Sequence, residues 1–125
     1  MTERISIVIL TMLFAVSTAF SAKPFVVVLG IAQDAGIPQM GCESVFCKRA
    51  REDSKLQKMV SSVALVDPAT RQRWIFDATP DLPKQFDLLK KITGDGSNTL
   101  TGIVLTHAHI GHYTGLMYLG RESMN

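Results

Sequence analysis

The chain has 125 residues, 46% of them hydrophobic and 19% charged, with a formal net charge of +2. That is too apolar for a disordered chain, and the length allows one domain at most. With 13 basic against 11 acidic residues and no basic stripe, there is no electrostatic footprint for nucleic acid, and 7% aromatic content offers no base-stacking surface.

Residues 1–22 read as a secretory signal peptide. Arg4 and the free amino terminus precede an apolar run from Ile5 to Ala19, and small residues follow at Ser21 and Ala22. Cleavage after Ser21 or Ala22 is expected, which places residues 23–125 in the periplasm or outside the cell. The alternative is an uncleaved membrane anchor. The run falls short of the ~20 residues that span a bilayer comfortably, so no stable span is expected after cleavage. Export also bears on Cys42 and Cys47. In a reducing cytosol so close a pair suggests metal or redox chemistry, whereas an oxidising compartment makes a disulfide a serious competitor.

Phe25 to Ile31 (FVVVLGI) is a continuous β-branched run and predicts a buried strand. Gly30, Gly36, Pro38 and Gly41 then mark a long loop. Cys42 to Gln57 is polar and is expected to hold a short solvated helix. Val60 to Val66 and Arg73 to Phe76 predict two strands, joined as a hairpin through a turn at Asp67-Pro68. Thr79 has the chemistry of a helix N-cap, with Pro80 at the first helical position and Asp81 beside the positive dipole end. Leu82, Phe86 and Leu89 recur at helical spacing, Lys90 and Lys91 fall in the last turn, and Gly94 is the expected C-cap. Gly102 to Thr106 predicts a fourth strand, and Thr114 to Leu119 the start of another helix. Strands, helix, strand and then a polar site at a strand's C-terminal end argue for a mixed α/β layered domain. Leu116, Met117 and Leu119 would leave an apolar face with nothing downstream to cover it. The expectation is a truncated chain, or one needing a second copy or another partner, that aggregates or folds only partly when expressed alone.

All three histidines lie within six residues, in Thr106-His107-Ala108-His109-Ile110-Gly111-His112. In an extended stretch His107 and His109 share a side, and His112 rejoins them if the chain turns at Gly111, which tolerates unusual backbone angles. Neutral imidazoles suit zinc, iron, copper or nickel. The helical metallopeptidase pattern, two histidines four apart with a glutamate after the first, is excluded because Ala108 follows His107 and a strand precedes it. The alternative is three surface histidines on a solvated loop.

Leu105 to Leu116 (LTHAHIGHYTGL) resembles the HxHxDH signature of the metallo-β-lactamase superfamily. Trp74 to Asp81 (WIFDATPD) resembles the strand and aspartate that precede that signature, and GIAQDAGIPQMGCESVFC, ending at Cys47, resembles a cysteine-bearing loop. The combination is similar to the coenzyme PQQ synthesis protein B-like branch, with the related cyclic-phosphodiester hydrolases behind it. The resemblance implies an αββα sandwich, of which this chain would be the N-terminal half. It also implies zinc, one ion or two, with His107 and His109 as ligands of the first metal and His112 as a ligand of the second. Asp77 matches the aspartate that braces the histidine loop; otherwise it is an ordinary helix-entry residue. Gly111 departs from the pattern, because the family's aspartate there ligates the second metal and positions the attacking water. Glycine does neither, which weakens the second site. The remaining family ligands would fall beyond Asn125. In the resembling branch three loop cysteines help hold a structural zinc; Cys42 and Cys47 match the first and last, and Ser44 stands at the middle position. A disulfide, residual zinc binding and two free thiols remain open there.

The functional expectation is an exported, metal-dependent hydrolase-like protein related to pyrroloquinoline quinone biosynthesis, acting on an unidentified small molecule, with a second copy of the chain as a candidate partner. The alternative is a non-catalytic binding protein, or an inactive fragment, that retains one metal position.

Overall fold

In a computed structural model that describes residues 22–122, three strands form an antiparallel meander and a fourth adds parallel to the last of them. The strands are β1 (Phe25–Gly30), β2 (Ser62–Asp67), β3 (Gln72–Phe76) and β4 (Gly102–Val104), in sheet order β1-β2-β3-β4. Helices α1 (Val45–Glu52), α2 (Leu82–Thr93) and α3 (Ile110–Tyr113) lie between and after them. This is the expected mixed α/β arrangement. The expected signal peptide lies outside the described residues except for Ala22. Among the described residues, no helix is long and apolar enough to cross a membrane.

The core is one layer deep. Val27 and Leu29 of β1, Ala64 and Val66 of β2, and Ile75 of β3 pack beneath Leu82 and Leu89 of α2. Each of these Val, Leu and Ile side chains, fully buried, contributes about 1.5–3 kcal/mol of transfer free energy. The apolar run of β1 predicted a buried strand, and the structure corrects this to alternation. Val26 and Val28 are 61% and 58% exposed, against 7% and 1% for Val27 and Leu29. Helix α2 covers one face of the sheet, and side chains of opposite parity point away from it.

Arg73 of β3 is buried and holds the loop after α2. Its guanidinium donates to the carbonyls of Asp95, Ser97 and Thr99 and to the Ser97 hydroxyl, and it sits over the Phe86 ring. A fork of donors with that many acceptors satisfies a buried cation.

Several elements differ from expectation, and at the starts of β2 and α2 a tertiary contact competes locally. Val60 is drawn out of β2 by a parallel bridge to Ala32 of the loop after β1. The close approach is open only because residue 30 is glycine: a Cβ there would overlap the carbonyl of Val60. Regular α2 begins at Leu82 rather than beside Thr79. The Thr79 hydroxyl does accept the Asp81 N–H at 3.1 Å, but it also donates to Gln85 Oε1, and Gln85 Nε2 in turn donates to the Val60 carbonyl. The Asp81 carboxylate accepts the Val60 N–H at 3.0 Å. The start of α2 is thus tied to residue 60. Finally, Thr114–Leu119 is a 3-10 helix, not an α-helix. At the other end of α2, Gly94 caps the helix at φ 67°, as its position predicted.

Candidate metal centre

The histidine loop is placed by Asp77. β3 ends there because Asp77 adopts φ 69°, a left-handed angle that aspartate tolerates better than most residues. Its backbone N–H still donates to the Val104 carbonyl at 2.8 Å, closing the last rung with β4. Its side chain then takes over from the ladder: Oδ1 accepts the Thr106 N–H at 2.7 Å, and the Thr106 hydroxyl donates to both carboxylate oxygens. The predicted fourth strand therefore stops at Val104 instead of Thr106, and Leu105 to His109 is free to project from the sheet edge. The next residue, Ala78, donates to the His112 carbonyl and accepts from the Gly115 N–H, which anchors α3 beside the same corner.

The three histidines converge. His107 Nε2 and His109 Nδ1 face each other at 3.0 Å, and the His107 and His112 ring centroids are 4.1 Å apart. His107 and His109 are exposed, while His112 is more enclosed, its side chain 16% exposed. Asp77 Oδ2 lies 2.8 Å from His112 Nδ1. Burial by itself would raise the Asp77 pKa, but the Thr106 N–H, His112 and the Thr106 hydroxyl together hold it below the ordinary carboxylate value. An ionised Asp77 accepts a hydrogen bond from the Nδ1–H and so leaves Nε2 of His112 as the outward nitrogen.

Sequence reasoning missed Asp34. This residue sits in the loop after β1, in a turn closed by the Gly36 N–H on the Gln33 carbonyl, with Ala35 at φ 74°. Its Oδ1 lies 2.9 Å from His112 Nε2. The loop is pinned along residues 58–61 by backbone bonds from Ile31, Ala32 and Ile37, so Asp34 is delivered to the histidines from the far side of β2. Asp34, Gln39, Ser61, His109 and His112 line one depression. The only sequence signal was an aspartate in a glycine-rich turn, which ordinarily means turn chemistry.

Nitrogen and carboxylate oxygen are the donors a zinc-type cation takes. Two ligand nitrogens on a tetrahedral zinc at its usual bond lengths sit about 3.3 Å apart, so the 3.0 Å between His107 and His109 needs only slight opening. Among the described residues no three such side chains close on a common point. The donors are arranged as two adjacent pairs, His107 with His109 and His112 with Asp34. The donor chemistry fits a divalent cation. A larger apolar groove lies elsewhere, between Leu82, Phe86, Leu100, Ile103 and Leu119, and brings no cluster of reactive groups.

Cys42 and Cys47 form a disulfide, so neither thiol is free for zinc. Ser44 is the N-cap of α1, its hydroxyl accepting the Cys47 N–H at 3.2 Å. That role explains a hydroxyl at the middle position without metal.

Comparison with known proteins agrees with this geometry. The profile of the metallo-beta-lactamase superfamily matches residues 58–125. Coenzyme PQQ synthesis protein B of Ruegeria pomeroyi is 31% identical over 101 residues, 78% of this chain and 34% of that protein. The protein of the same name from Rhodopseudomonas palustris is 29% identical over 103 residues, 78% of this chain and 33% of that one. Among solved structures, Zn(2+)-bound PqqB from Methylobacterium extorquens superposes with a TM-score of 0.64 at 27% identity, over 78% of this chain and 37% of that one. A diphosphatase from the PhnP family superposes with a TM-score of 0.60 at 27% identity, over 78% and 34%. The chain spans about a third of the length of the curated relatives it matches. That profile covers more than half of the chain, including β2 to β4, Asp77 and the histidine loop, and the chain belongs to the metallo-β-lactamase superfamily.

Proposed function

We propose that this chain carries the histidine-rich half of a metal centre in an exported, metal-dependent hydrolase-like protein related to the PQQ synthesis proteins, with zinc as the resident ion. The observation that carries the reading is the pairing of His107 Nε2 with His109 Nδ1 at 3.0 Å beside a His112 held by a buried carboxylate. His107 and His109 would hold the first ion. Asp77 keeps the Nδ1 proton of His112 and turns Nε2 toward the site, and Thr106 in turn fixes Asp77. A zinc ion bound there supplies a Lewis acid and a water acidified to a pKa of ~7. The relatives' names point to a small-molecule substrate, and the PhnP-family neighbour is itself a diphosphatase. The Cys42–Cys47 disulfide favours an oxidising compartment and therefore export.

The test is metal content and hydrolysis of a generic phosphodiester by the purified protein. Stoichiometric zinc that disappears in His107→Ala is expected. Protein that takes up no zinc would end this reading. Protein that binds zinc without hydrolysing the phosphodiester would support the alternative, a non-catalytic binding protein that keeps the metal position.

A further inference from the structure

The His112–Asp34 contact poses a question of proton inventory. His112 Nδ1 is 2.8 Å from Asp77 Oδ2, and its Nε2 is 2.9 Å from Asp34 Oδ1. A neutral imidazole carries one N–H. With that proton on the Asp77 side, Nε2 and Asp34 Oδ1 face each other lone pair to lone pair. A second proton or a metal cation between them removes the repulsion, and opening the 2.9 Å pair to about 3.3 Å gives the spacing of two ligands on one tetrahedral ion.

The surroundings of Asp34 are shaped to this contact. A Cβ on Gly111 would lie 2.5 Å from Asp34 Cγ and 2.7 Å from its Oδ1. The Asp34 carboxylate therefore fills the volume that any side chain at position 111 would enter. Gly111 is itself buried, one residue before His112. The absent side chain at 111 and the carboxylate from the loop after β1 are two halves of one arrangement.

We propose that Asp34 is the carboxylate ligand of a second divalent metal position, shared with His112, and that it takes the place of a side chain at Gly111. The proposal rests on the metal reading of the histidines above. It supplies a carboxylate to the second position, where Gly111 supplies none. Asp34 and His112, 78 residues apart in sequence, then meet at one ion, so binding ties the loop after β1 to the loop after β4.

Zn(II) titration of the full chain by calorimetry, with metal counted after dialysis, tests this. The wild type is expected to take up two equivalents. Asp34→Asn, at a side chain 42% exposed, should fold normally. It should retain the first equivalent and bind the second at least ~10-fold more weakly, the lower end of what losing a mere supporting group costs. Gly111→Asp alone drives its Cβ into Asp34 and should also weaken the second equivalent. The exchanged pair Asp34→Ala with Gly111→Asp should restore it. If Asp34→Asn keeps both equivalents at wild-type affinity, or only lowers the melting temperature of the metal-free protein, Asp34 is an ion-pair partner of His112 and the proposal is overturned, while the metal reading stands. If the wild type binds one equivalent that Asp34→Asn leaves untouched, the proposal is likewise overturned. A wild type that binds none overturns the metal reading and this proposal with it.

Discussion

Asp77→Asn isolates the charge that positions the histidine loop. Asparagine has nearly the same shape and also tolerates the left-handed angle of φ 69° at this position, so the backbone is not the variable. The carboxylate accepts from the Thr106 N–H, from the Thr106 hydroxyl and from His112 Nδ1. An amide can keep its oxygen toward Thr106, but its NH2 then faces His112 Nδ1, donor against donor. Once the His112 proton moves to Nε2 the amide can donate to Nδ1, so a charge-assisted hydrogen bond is replaced by a neutral one at a cost of about 1–2 kcal/mol, and the bonds to Thr106 weaken to neutral strength as well. The Asp77 side chain is only 8% exposed, so solvent does not discount the loss. We expect a destabilisation of about 2–3 kcal/mol, read as a shift in urea midpoint, or about 10–20 °C in Tm for a chain of this size. The same substitution should move the His112 proton to Nε2, the nitrogen proposed to face metal, and lower zinc affinity by about 10–100-fold. Asp77→Asn within ~0.5 kcal/mol of wild type, the scatter of ordinary surface substitutions, with unchanged zinc affinity, would refute the reasoning.

Other perturbations probe the scaffold. Arg73→Met removes the donors that serve the carbonyls of Asp95, Ser97 and Thr99 and should cost about 2–4 kcal/mol; Arg73→Lys, which lacks the planar fork, should fall between, and equal stability of the three proteins in urea would contradict this. Gly115→Ala places a Cβ against the Thr79 carbonyl and the Ala78 backbone, which cannot yield without moving the corner beside Asp77. A loss of about 1–3 kcal/mol is expected, and a wild-type melting curve would show the corner to be softer than it looks. Reducing the Cys42–Cys47 disulfide opens a very short loop, for which chain entropy gives about 2 kcal/mol. Reduced protein should melt earlier and take up no additional zinc, and a gained equivalent would revive a cysteine zinc site. Asp95 is held below the ordinary aspartate pKa first by the Ser97 N–H and then by the Ser97 hydroxyl, against a small opposing effect of burial, with Arg73 and Arg71 adding to the lowering. Its contribution to stability is present above the unfolded value of ~3.9 and is lost as pH falls through the lower folded value. Asp95→Asn should flatten the fall of Tm with pH below about 4, and an unchanged slope would remove Asp95 as the cause.

Much of the scaffold was legible because its signals are local. The β-branched runs around Val27 and Ile75, the helical recurrence of Leu82, Phe86 and Leu89, and Gly94 at the end of α2 each depend on neighbours a few residues away. The spacing of His107, His109 and His112 likewise survived folding, since a loop leaving a strand needs only its own backbone to gather alternate side chains. What misled was any position where a distant group competes. Thr79 reads as a simple helix cap, yet its hydroxyl also serves Gln85, and Asp81 leaves the helix dipole to hold the Val60 N–H. The uniform apolarity of β1 gave no hint that Val26 and Val28 lie on the uncovered face of the sheet.

The histidines and their spacing were therefore determined by the sequence itself, because that pattern is written within one loop. How they are used was decided by tertiary structure. Asp77 reaches Thr106 and His112 across 29 and 35 residues, and Asp34 reaches His112 from the loop after β1. Gly111, which in the sequence is only a missing ligand, becomes in the fold the space that Asp34 fills. No local pattern carries that exchange, because the two residues are brought together only by the sheet between them.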